Sequence, residues 1–133
     1  MIAEFRDYLK TLNVAQNYSI GKIDNAKDYS LGVYGGTQTS RTEAIGRASS
    51  YNTFGFRILL HWNKNARQTE ENAFVLFEKI RYITDLDMTD IHVQYIDLDY
   101  DEPISVGTDE NGVYEYVISG TIYYRKEQIN GNN

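Results

Sequence analysis

The sequence predicts an α+β domain: a mostly antiparallel sheet with an N-terminal helix and one longer amphipathic helix packed on it. Three observations predict it. Phe54, Phe56, Ile58, Leu60 and Trp62 alternate with Thr53, Gly55, Arg57, Leu59 and His61, which is the period of a long, half-buried strand. Ala73, Leu76, Phe77, Ile80, Ile83 and Thr84 instead recur at helical spacing, with Glu78, Lys79 and Arg81 off that stripe. The remaining segments complete the order helix, two strands, long loop, strand, helix, two strands, which suits helices laid on one face of an antiparallel sheet.

The N-terminal helix rests on Ile2, Phe5, Leu9 and Leu12, whose spacings of three and four put them on one stripe. Asn13 and Asn17 mark its end. A strand over 18–23 and a second over 29–34, in which Tyr29, Leu31 and Val33 alternate with Ser30, Gly32 and Tyr34, flank the turn-forming Asp24 to Asp28. This pair is expected to form a hairpin. Residues 35–50 are dominated by Gly, Ser and Thr and have neither period. A connection of that length in a compact domain is typically functional or mobile, and it carries Arg41 and Arg47. The strand through Tyr51 to Trp62 follows. Thr69 before Glu70 and Glu71 then predicts the start of the second helix, with a hydroxyl cap and acids opposing the helix dipole. Asp85 to Asp87 is expected to end it. Ile91, Val93 and Tyr95 alternate in a further strand. Asp97 to Gly112 reads as an acidic loop holding the single Pro, and Val113 to Tyr124 as the last strand.

Composition bounds the function. The chain has 133 residues, the length of one domain, here 1–126 with a polar tail over 127–133. It contains no Cys, which excludes disulfides, thiol catalysis and cysteine zinc sites. No apolar run approaches the roughly 18 residues of a membrane span, and acids stand where a signal peptide would be basic. The net charge of −6 disfavours nucleic-acid binding. Its distribution is lopsided. Residues 1–66 hold eight Lys/Arg against five Asp/Glu, and residues 67–133 hold five against fourteen. The acidic half is either a solvated rim or a surface that repels polyanions or meets a basic partner.

No catalytic motif is present: no GxSxG, Walker A, GxGxxG or HExxH. The sequence therefore predicts neither an enzyme nor a bound cofactor. His61 and His92 each alternate with apolar neighbours and read as polar-face or interface histidines. Asp97, Asp99, Asp101 and Glu102 begin like a calcium-binding loop, but the positions that demand Gly and a bidentate Glu hold Glu102 and Thr108. They are expected to form an acidic surface, with loose cation or ligand binding as the alternative. No residue is assigned as a metal ligand. Tyr114, Tyr116, Tyr123 and Tyr124 crowd one strand and are candidates for a subunit interface, because Tyr combines apolar area with a hydrogen-bonding tip.

Three segments carry a resemblance. They are Tyr29-Ser30-Leu31-Gly32-Val33-Tyr34 with the polar loop and Ile45-Gly46; Tyr51 to Trp62 running through Asn63-Lys64-Asn65 into Thr69-Glu70-Glu71-Asn72-Ala73; and Pro103 to Ile118 closing with Ile122-Tyr123-Tyr124. In this order the chain resembles the small minor capsid proteins of phages and prophages of Gram-positive bacteria, a group similar to tail terminator proteins. The resemblance implies a non-enzymatic virion subunit in the tail or neck, assembled in the bacterial cytoplasm as a homo-oligomeric ring, typically a hexamer. Such a ring caps the tail tube protein and meets the head connector or neck proteins. DNA passes through it without specific binding, and no membrane is involved. Arg41 and Arg47 would then line the lumen or dock a partner. A head-completion or neck protein is the alternative within the same class.

Overall fold

The computed structural model describes residues 1–36 and 51–126. Helix α1 spans Ile2–Thr11, and the strands β1 and β2 span Asn17–Ile20 and Ser30–Gly35. Strand β3 spans Asn52–His61 and helix α2 Ala66–Arg81. Strands β4 to β7 span Thr84–Met88, Ile91–Leu98, Ile104–Thr108 and Tyr114–Lys126. The fold is α+β. The seven strands form one sheet in the order β1-β2-β3-β7-β5-β4, with β6 paired to β7. Every pairing is antiparallel except that of β1 with β2.

Strand β7 is the spine of this sheet. One of its edges runs along β3, from Glu115 opposite His61 to Tyr124 opposite Asn52. The other edge is shared. Strand β6 occupies its first part, Tyr114 to Val117, and β5 occupies Gly120 to Lys126. Gly120 stands opposite Leu98, where β5 ends, and a Cβ placed there would lie 2.5 Å from the Asp97 carbonyl oxygen. Only a residue without a side chain admits so close an approach.

Both helices cover one face of the sheet and share a single apolar core. Phe5 and Leu9 of α1 are fully buried, as are Leu76 and Ile80 of α2. They meet Phe56, Ile58 and Leu60 of β3 and Ile118 and Ile122 of β7. The rings of Phe5 and Phe56 meet edge to face at 4.9 Å. The alternation and, as far as Ile80, the helical stripes predicted for these segments are thus the core-facing sides of β3, α1 and α2.

The structure departs from the sequence reading in four places. Strands β1 and β2 are parallel and not a hairpin. Residues 21–29 cross over the sheet instead of reversing the chain. Ile23 is buried against Gly32, with its Cγ2 2.6 Å from where a Cβ on that glycine would stand. The Asn17 side-chain amide and the Ser30 hydroxyl donate to the carbonyls of Asp28 and Lys27, which fixes the crossover. Helix α2 starts a turn before Thr69. Its cap is Asn65, whose side chain accepts the Gln68 N–H at 3.0 Å. Thr69 is inside the helix, fully buried, and its hydroxyl donates to the Asn65 carbonyl. Helix α2 stops at Arg81, so Ile83 and Thr84 of the expected stripe lie beyond it, and Thr84 to Asp87 belong to β4, which pairs with β5 through a tight turn at Asp90, whose φ is 60°. The acidic loop over 97–112 contains β6. The proposed loop over 35–50 falls, apart from Gly35 and Gly36, outside the described residues, as does the tail over 127–133.

Candidate functional site

The face of the sheet opposite the helices carries a buried group of side chains in which a histidine meets two carboxylates. Alternation along β3 turns Leu60 into the core and His61 to the other side. There His61 has no exposed surface. Three separate segments bury it. Glu115 stands directly opposite on β7 and places Oε2 2.8 Å from His61 Nδ1. The turn joining β6 to β7 brings Asp109 Oδ2 to 3.8 Å from the same nitrogen. The crossover between β1 and β2 lays the Asn25 carbonyl oxygen 3.2 Å from Nε2.

The turn that holds Asp109 is built by that residue. Its Oδ1 accepts the backbone N–H groups of Asn111 and Val113 at 2.9 and 3.0 Å, and Gly112 supplies the positive φ of 86° that closes it. These donors, Val113 first, lower the Asp109 carboxyl below its ordinary value; burial opposes them, and His61 adds to the lowering. Oδ2, by contrast, is buried and has no hydrogen-bond partner. The donor and acceptor count is decisive for the ring. A carbonyl oxygen offers no proton, so Nε2 must carry one. Nδ1 then faces two carboxylates. Because Nε2 is committed to Asn25 and the ring is wholly enclosed, neither nitrogen reaches a substrate. The arrangement suits holding a cation or proton in place and does not suit general-base catalysis.

A second histidine is paired differently. His92 on β5 sits beside β4, with Nδ1 2.7 Å from Asp87 and Nε2 3.3 Å from Asp85. All three lie near solvent. Hydrogen bonding to Asp87, and next to Asp85, raises the His92 pKa above its ordinary value.

The residues singled out in the sequence scatter. Asp97, Asp99, Asp101 and Glu102 are all exposed, at the end of β5 and in the connection to β6. Tyr114, Tyr116, Tyr123 and Tyr124 do not form one surface. Tyr124 is buried in the core and Tyr116 packs against it. Tyr123 points to the opposite face, stacked on Tyr95 with centroids 4.5 Å apart and met edge-on by Tyr51. Tyr114 is half-buried next to β6. Arg41 and Arg47 lie outside the described residues. Exposed apolar side chains among the described residues include Tyr95 beside Tyr123, Ile20 on β1, and Tyr100; Phe74, Val75 and Tyr82 in and beside α2; and Ile104 and Val106 on β6.

The sequence reading missed the convergence of His61, Asp109 and Glu115. Their signal was faint. The Asn111-Gly112 pair between alternating segments marks a hairpin, and a hairpin at that point would have set Asp109 beside the strand that carries Glu115.

No protein-family model matches the chain, and no curated protein matches it in sequence. No helix among the described residues is long and apolar enough to cross a membrane.

Proposed function

We propose that this chain is a structural subunit of a phage virion, a tail-terminator-like ring protein that caps the tail tube and joins it to the head connector. The reading rests on the family resemblance and on one structural observation, the character of β6. All five of its residues are exposed, Ile104 and Val106 among them, and among the described residues it pairs with β7 alone. An edge strand that displays apolar side chains is a liability in a free monomer and an asset in an assembly, where a neighbouring subunit covers it. A ring closes by joining one patch to a different patch. The excess of bases in the first half and of acids in the second offers such a pair complementary charge.

In this function the subunit does no chemistry. It contributes a rigid sheet, an exposed edge and an acidic surface that leaves passing DNA phosphates unneutralised. Electron microscopy of negatively stained protein, alone and with a matching tail-tube protein, tests the proposal. Rings, or discs at the ends of tubes of finite length, are the expected result. Rings that bind the portal complex and ignore the tube would reassign the protein to the neck. Monomers without effect on tube length would refute the assembly reading.

A further inference from the structure

We propose that His61, Asp109 and Glu115 form a binding site for one divalent transition-metal cation, with Zn²⁺ the best match, which ties the β6–β7 turn and the β1–β2 crossover to the sheet. Their ligand atoms all lie within 4.8 Å of one another. Four-coordinate Zn²⁺, with bonds of about 2.0–2.2 Å, separates neighbouring ligand atoms by roughly 3.4 Å. The observed 2.8 Å from Nδ1 to Glu115 and 3.8 Å from Nδ1 to Asp109 straddle that spacing. Sub-ångström side-chain shifts would complete the contacts, and a water would take the fourth position.

Three further observations point to a cation. The first is the orphaned oxygen. Asp109 Oδ2 is shielded from solvent and has no hydrogen-bond partner, while its sister oxygen is held by two backbone amides. Oδ2 is therefore oriented and free to ligate. The second is the ring. Nε2 is turned to the Asn25 carbonyl at 3.2 Å, the outer-shell hydrogen bond that fixes a metal-binding imidazole with its other nitrogen directed at the ion. The third is charge. Two carboxylates converge on one imidazole, and among the described residues no Lys or Arg pairs with either of them. A divalent ion balances the cluster. A donor set of one imidazole and two carboxylates favours Zn²⁺ over Ca²⁺, which takes six to eight oxygens.

The test uses the full chain, stripped with a chelator and titrated with Zn²⁺, Mn²⁺ or Ca²⁺ while calorimetry counts ions and thermal unfolding is followed. One Zn²⁺ per chain is expected, with a rise in Tm of roughly 5–10 °C at a hundredfold excess over Kd. Glu115→Gln and Asp109→Asn should each weaken binding at least tenfold, and His92→Gln should leave it unchanged. Nitrogen NMR of the unmodified protein gives a second readout that needs no variant. The His61 Nδ1 resonance should shift on adding Zn²⁺, while Nε2 keeps its proton. Binding that survives both carboxylate variants would place the ion elsewhere and overturn the proposal. So would a His61 ring that carries protons on both nitrogens and is unmoved by all three ions.

Discussion

Removing the Phe56 ring tests the core at its most exacting point. Phe56 is 1% exposed, and its neighbours across the ladder are Gly35 on β2 and Gly120 on β7. Two glycines leave the ring without cross-strand side-chain neighbours, so on both flanks only backbone borders its place. Gly120 is itself pressed against the Asp97 carbonyl and cannot carry β7 inward. Phe→Ala in a core costs about 3–5 kcal/mol, and a site that cannot collapse belongs near the top of that range. About 0.5–1.5 kcal/mol of the loss reflects the edge-to-face contact with Phe5. A double-mutant cycle on Phe5→Leu and Phe56→Leu isolates that share. Equilibrium unfolding in urea, read by the fluorescence of the single, buried Trp62, gives both quantities. Against a total stability of roughly 5–15 kcal/mol, Phe56→Ala should lower Tm by about 10–20 °C. A loss below about 1 kcal/mol would refute the argument that flanking glycines keep the cavity open.

Gly120→Ala should destabilise by about 2–3 kcal/mol, since the new Cβ meets backbone that cannot rotate away; an unchanged melting curve would mean that β5 and β7 do not approach so closely. The NMR titration midpoint of His92 should lie above 6.5, and Asp87→Asn should lower it more than Asp85→Asn. Because folding raises this pKa, its contribution to stability is complete below pH 6.5 and fades as pH rises through the folded midpoint. His92→Gln should remove that slope from the stability-against-pH profile. Val106→Asp on exposed β6 should change the unfolding free energy by less than about 0.5 kcal/mol yet abolish rings and tube-capping discs in the microscope. Intact rings in that variant would exclude β6 as the subunit contact.

The elements legible in the sequence are those that bury one side over many residues. The alternation from Phe54 to Trp62 and the stripe Ala73-Leu76-Phe77-Ile80 each repeat often enough to exclude other periods. Strands β4 and β6 have five residues each, and neither contains a buried residue, so they lack a hydrophobic period. The direction of β1 was also beyond local reading. It depends on Ile23 seating itself on Gly32, a contact set by the crossover and not by the turn residues. His61 illustrates the same limit at the candidate site. Its place in the alternation fixes which face it occupies. Its burial is decided by Asn25, Asp109 and Glu115, which come from distant parts of the chain and meet only when the sheet is complete.

The central position of β7 has a consequence for biosynthesis. A ribosome delivers residues in order, at about 5–20 per second, and β7 leaves the exit tunnel after every strand that it joins. Until then β3 and β5 each present a row of unpaired amides and carbonyls, and the two halves of the sheet have nothing between them. The nascent chain therefore cannot fold piecemeal from its beginning. It must stay unassembled for several seconds and then close in one step around its final strand. Chains cut short before Tyr114 should be captured by chaperones or proteases and not accumulate as stable fragments. A chain whose sheet is closed has therefore necessarily been translated through residue 126.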